Sequence, residues 1–97
     1  MEIPETEIIV TKDGTELLRK TVRPGDYVIG REPECEVQVE ADLVSQRHAQ
    51  LTVNFDHVLL EDLGSDSGTL VNGQPVKEPT RLWPNQKIQV GAGGRLS

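Results

Sequence analysis

Three short segments carry the residues able to do chemistry: Gly30-Arg31, Ser45-Gln46-Arg47-His48, and the run Glu61-Asp-Leu-Gly-Ser-Asp-Ser-Gly-Thr-Leu-Val-Asn-Gly73. Gly64 and Gly68 bracket Ser65, Asp66 and Ser67, so that loop can take positive φ and bring backbone N–H groups and short hydroxyls to one place. Such a loop suits an oxyanion, although Gly, Ser and Asp also make plain surface turns. Arg31 adds a planar guanidinium with several fixed donors, and Ser45 adds a hydroxyl. Together they can satisfy a phosphate dianion without any proton transfer. Taken singly, Arg31 would be a solvated surface charge and Ser45 a hydroxyl bonded to its own loop. Ser45 and His48 also invite a reading as nucleophile and base, which requires the two side chains to be in hydrogen-bond reach and a third group to orient the ring. Residues three apart on an extended segment point to opposite sides, so no catalytic residue is assigned.

The elements that must position these loops are short strands. Glu7–Thr11 and Thr15–Val22 flank an Asp13-Gly14 turn as a hairpin, and Tyr27–Gly30 is a strand ending at Arg31. Glu36–Glu40 alternates with Val37 and Val39 inward, and His48–Val53 alternates with Ala49, Leu51 and Val53 inward. His57–Leu63, Thr69–Val71, Gln74–Lys77 and Lys87–Val90 complete the series, with an Asn72-Gly73 hairpin turn between two of them. His57 is expected in an exposed turn, and Phe55 and Trp83 in core or loop packing. No apolar pattern of helical period is present. The fold class is therefore all-β, an antiparallel β-sandwich of about ten to eleven short strands.

Residues 1–6 are expected to be a flexible N-terminal segment, 7–91 the domain, and 92–97 a Gly-rich linker, the whole excised from a longer chain. A chain of 97 residues with net charge −6 and scattered Lys and Arg has no nucleic-acid footprint. One cysteine, Cys35, and two distant histidines give neither a disulfide nor a metal site, and no cofactor is implied. No apolar run is long enough for a membrane span, and the N-terminus lacks signal-peptide character. A cytoplasmic protein, monomeric in isolation, is the expectation.

In order and spacing, Gly30-Arg31, Ser45-x-x-His48 followed by Ala49, and Asp62-Leu-Gly-Ser-x-x-Gly-Thr69-x-Val-Asn72-Gly73 resemble the forkhead-associated (FHA) domain, from about Ile8 to Val90. The resemblance implies an eleven-strand sandwich that binds phosphothreonine in a partner protein through loops at one end. It implies that Arg31 pairs with the phosphate and Ser45 donates to another of its oxygens. Gln46, Arg47, Asp66 and Ser67 would complete the phosphopeptide contact. Gly30, His48, Gly68, Asn72 and Gly73 would support the site, His48 as a brace under the loop and Asn72 by tying loops together through its side chain.

The sequence departs from the family at Ser65-Asp66-Ser67-Gly68-Thr69, where Ser-Thr-Asn-Gly-Thr is common, so an acid replaces a threonine and a serine an asparagine. Glycines also follow Val90 where a last strand belongs, which would leave the edge around Ile8–Val10 uncovered. The function implied is a phosphothreonine-dependent interaction module and no enzyme. The alternatives are a degenerate FHA-like sandwich that binds or self-associates without phosphate, and a small hydrolase using Ser45. Leu43, Val71 or the glycine backbone is expected to offer a notch for the threonine methyl. The acids Glu32, Glu34, Glu36, Glu40, Asp42 and Asp66 are expected to give the groove a negative rim that favours partners with basic flanking residues.

Overall fold

A computed structural model describes residues 5–12, 14–41 and 43–90 of the chain. The hairpin β1 (Thr6–Lys12) and β2 (Thr15–Val22) is followed by β3 (Gly25–Gly30) and the two-residue β4 (Val37–Gln38). β5 (Ala49–Val53) and β6 (Val58–Asp62) form a second hairpin. β7 (Thr69–Val71), β8 (Gln74–Pro75), β9 (Thr80–Leu82) and β10 (Lys87–Val90) close the chain. Among the described residues these make two five-stranded sheets, in the orders β2-β1-β10-β7-β8 and β4-β3-β5-β6-β9. β1 begins at Thr6, inside the segment expected to be flexible, and the expected 92–97 linker lies outside the described residues.

The period-two patterns fold as their chemistry dictates. Ala49, Leu51 and Val53 of β5 face Val58 and Leu60 of β6 and Ile88 and Val90 of β10 in one apolar core, where Ile8, Ile29, Leu51, Leu60 and Ile88 are fully buried. Trp83 and Phe55 stay out of it: they are 53% and 64% exposed, which corrects the expectation of packed aromatics. β9 is an addition to the sequence-based strand list, a three-residue strand that pairs with β6 through Leu82, Arg81 and Thr80.

Two pairings differ from an all-antiparallel sandwich. β3 and β4 run parallel, with Ile29 beside Val37, and because the pairing spans only two residues the short 31–36 loop is enough to return the chain. β1 and β10 also run parallel, with Val10 beside Ile88. The edge at Ile8–Val10 is therefore covered by β10 itself, not left open, and Ile9 on the outer face is buried beside its paired neighbours Arg19 and Lys87.

Strand directions decide where function can sit. β3 and β6 end, and β5 and β7 begin, at the same end of the sandwich, so the segments after Gly30, before Ala49 and after Asp62 converge there. The Asn54–His57 and Trp83–Gln86 turns lie at the opposite end.

Candidate functional site

Backbone hydrogen bonds zip the end of β3 to the segment before β5. His48 N–H donates to Ile29 O at 2.8 Å, Arg31 N–H to Ser45 O at 3.0 Å and Glu32 N–H to Gln46 O at 3.3 Å. The strands come so close that a Cβ on Gly30 would lie 2.2 Å from Gln46 O and 2.8 Å from Cys35 Sγ. Only glycine fits there, and the need is space, because Gly30 is absent from the positive-φ residues. This contact fixes Arg31 beside Ser45.

The loop between β6 and β7 is built around the Asp62 carboxylate. Its Oδ2 accepts the N–H groups of Gly64 and Ser65, each at 3.0 Å, and its Oδ1 accepts the hydroxyls of Ser65 at 2.5 Å and Thr69 at 2.7 Å. Burial alone would raise the Asp62 pKa, but these donors outweigh it and hold the carboxyl below its ordinary value. Gly64 and Gly68 take φ of 76° and 87°, which lets the chain wrap this anion. Gly68 N–H then donates to Ser65 Oγ at 3.0 Å.

Two bonds fasten this loop to the segment carrying Ser45. Asp66 N–H donates to Ser45 Oγ at 3.2 Å, and Ser67 Oγ donates to the carbonyl of Leu43. His48 braces both from below, fully buried: its Nδ1 accepts Ser45 N–H at 3.1 Å, so the ring hydrogen sits on Nε2, 2.8 Å from Gly68 O. With both ring nitrogens held by backbone groups, His48 is no base for the Ser45 hydroxyl. Because Ser45 Oγ accepts from Asp66, its own hydrogen remains to be donated into the groove.

All six residues singled out for ligand contact, Arg31, Ser45, Gln46, Arg47, Asp66 and Ser67, line one open groove of about 750 Å³, whose wall Leu43, Val44 and Gly64 complete. Among the described residues the guanidinium groups of Arg31 and Arg47, both exposed, have no hydrogen-bond or ion-pair partner. The groove therefore presents free cationic donors, a hydroxyl and an ordered loop, which can hold a phosphate-sized anion.

Several expectations change. Of the described acids expected on the rim, only Asp66 lines the groove. Glu36 does not line the groove: its carboxylate accepts Val28 N–H at 2.9 Å, which together with the charges of Arg47 and Lys20 holds it below the ordinary carboxylate range, and its carbonyl accepts Lys20 Nζ. Asp42 lies outside the described residues. Val71 is buried in the core and does not line the groove; Leu43 and Val44 do, and of these two only Leu43 is exposed.

Asn72 does not tie loops together. Its side chain is exposed and without a hydrogen-bond partner among the described residues, and what the β7–β8 turn uses is its backbone, φ 54° followed by Gly73 at 76°. His57 is half-buried, bonded to Asp56 Oδ1 at 2.7 Å and Asn54 Nδ2 at 3.1 Å. The residues missed as individual contributors are Asp62 and Ser65. Their signal is in the run Asp62-Leu63-Gly64-Ser65: an Asp with Gly two residues on and Ser three on is an Asx-turn pattern, with the carboxylate capping its own loop.

The sequence model of the FHA domain family matches residues 27–91. The proliferation marker protein Ki-67 of Mus musculus is 34% identical over 55 residues, which is 57% of this chain but 2% of that protein, so the chain spans a small fraction of this relative's length. The FHA domain of FhaA, a protein of Mycobacterium tuberculosis, was solved in complex with the intracellular domain of another protein. It superimposes with a TM-score of 0.75 at 30% identity over 91% of this chain and 92% of that one. The N-terminal FHA domain of Rad53p from S. cerevisiae, solved with a phosphothreonine peptide, gives a TM-score of 0.64 at 32% identity, over 71% of this chain and 58% of that one.

Proposed function

The chain belongs to the FHA domain family, and from that premise we propose that its groove binds phosphothreonine in a partner protein, making it a phosphothreonine-dependent interaction module. The observation that carries the reading is the pair of unpartnered guanidinium groups, Arg31 and Arg47, on the same groove as the Ser45 hydroxyl. In a chain of net charge −6, guanidinium groups at one ordered site that make no salt bridge or hydrogen bond among the described residues are positioned for an anion from outside.

Arg31 pairs with the phosphate, because it is held at the strand end by its own N–H and by the Gly30 contact. Ser45 donates its hydroxyl hydrogen to a second oxygen. A phosphothreonine brings a charge of about −1.5 to −2 and three acceptor oxygens, which these donors and Arg47 can share. Gln46 and Ser67 are placed for peptide contacts, and Asp66 for a basic residue beside the phosphothreonine. The commitment of His48 to backbone partners on both sides supports binding without turnover.

Titration of one peptide in phosphothreonine, unphosphorylated and phosphoserine forms tests the reading. Binding confined to the phosphorylated forms supports it, and equal affinity for the unphosphorylated peptide would overturn it in favour of phosphate-independent association.

A further inference from the structure

Among the described residues, three that are not glycine have positive φ: Asn72, Asn85 and Leu43. The Cβ of any side chain crowds the following carbonyl in this region; asparagine offsets the cost by local hydrogen bonds of its short polar side chain, and leucine has no such compensation. Leu43 has φ 71°. Burial does not explain the strain, since Leu43 is 55% exposed while its neighbour Val44 is in the core. The conformation is held from outside: Ser67 Oγ donates to the Leu43 carbonyl, and Val44 N–H donates to Ala41 O at 3.3 Å. Strained residues over-determined by their surroundings cluster at binding sites, and here the strained residue is a large, exposed apolar side chain on the wall of the groove that holds Arg31, Ser45 and Arg47.

Resting on the phosphothreonine reading of this groove, we propose that Leu43 selects an apolar side chain within about two residues of the phosphothreonine in the bound partner. The cross-loop bonds fix its place. Asp66 bonds to Ser45 and Ser67 to Leu43, so Leu43 stands beyond the phosphate donors along the same wall. Two residues of chain reach about 7 Å at most, the span from a phosphothreonine to its first or second neighbour in an extended peptide. The partner is thus a phosphothreonine segment carrying Leu, Ile, Val or Met at one of these positions.

The test is fluorescence anisotropy with a glycine-flanked phosphothreonine peptide and versions with a single Leu at each of the two positions on either side. The wild-type protein is expected to prefer at least one Leu peptide by about four- to fifteenfold, the effect of burying one or two methylenes. Leu43→Asn, a residue that accepts the same backbone, is expected to bring this ratio close to one while the melting temperature holds or rises; Leu43→Met is expected to keep the preference. A wild-type protein indifferent to Leu at all positions, or a ratio unchanged in Leu43→Asn, would overturn the role of Leu43 and leave phosphothreonine binding standing. A wild-type protein that binds no phosphopeptide better than its unphosphorylated form would remove both readings.

Discussion

At one end of the sandwich, Arg31 and Arg47 reach into the groove unpaired while the loops beneath them are tied by Asp62, Ser65, Ser67 and His48. At the other end the polar groups close on themselves. Asp56 binds His57, His57 binds Asn54, and the Trp83 N–H donates to Gln86 Oε1 at 2.6 Å. Arg81 there lies 4.0 Å over the Trp83 ring and is not left free. A second groove of about 430 Å³, with Phe55 and Trp83 exposed along it, has cavity enough for a ligand but, among its described lining residues, no free cation to hold a phosphate. Both ends are made of turns rich in Gly, Asn, Asp and Pro, so turn composition does not separate them. What separates them is whether the charges are spent within the fold.

The comparison breaks most sharply at Arg31. Arg31→Ala is expected to weaken phosphothreonine-peptide binding by about 2 to 5 kcal/mol, because the phosphate would be left partly desolvated without its partner. Since Arg31 is exposed and unpaired in the free domain, the thermal midpoint should hardly move. Titration and melting on the same variant check both halves, and unchanged affinity in a folded protein would defeat the site.

Asp62→Ala acts on the scaffold beneath that charge. Freeing four donors from a partly buried carboxylate is expected to cost about 1 to 3 kcal/mol of stability and to weaken peptide binding with it, measured by urea unfolding. A pH dependence follows. The folded-state pKa of Asp62 is lowered, so its contribution is fully present above the unfolded value of about 3.9 and is lost as pH falls through the lower folded value. Stability should therefore hold from neutral pH down to about 5 and decline below about 4, with a shallower decline in Asp62→Asn.

A smaller effect would sharpen the contrast inside the groove. Asp66 is its one described carboxylate, and Asp66→Thr is expected to tighten binding in general and to narrow the preference for Lys or Arg flanks by about 0.5 to 1 kcal/mol. Raising salt should shrink that preference, because the Debye length is about 10 Å at 0.1 M. A phosphopeptide array without any basic bias at low salt would reduce Asp66 to a turn residue.

The smallest change is expected at the far end. Trp83→Ala removes an exposed ring distant from the groove and should alter phosphopeptide affinity by less than about 0.5 kcal/mol. A larger loss in the same titration would show that the two ends are not independent.

The sequence by itself determined the all-β class, most strand positions, the inward faces of β5, and the order of three motifs that identifies the family. These are local signals: period-two alternation, Asx and Asn-Gly turns, and fixed spacings read along a few residues. It singled out Arg31 and Ser45 by their chemistry, and the family resemblance added Gln46, Arg47, Asp66 and Ser67, all six of which the fold gathers on one groove. The tertiary structure alone decided that Gly30 is needed for space, since the atom it avoids, Gln46 O, comes from a distant part of the chain. It decided that β10 pairs in parallel with β1, a non-local choice no alternation pattern encodes. It turned Glu36 from the expected rim into a backbone acceptor, and reduced Asn72 from a tie between loops to a turn residue. Leu43 is the clearest case: its sequence neighbourhood marks only a loop, whereas its left-handed backbone depends on a bond from Ser67 across the groove. Hydrogen-bond partners and close approaches between segments far apart in sequence depend on packing, and packing exists only once both sheets have met.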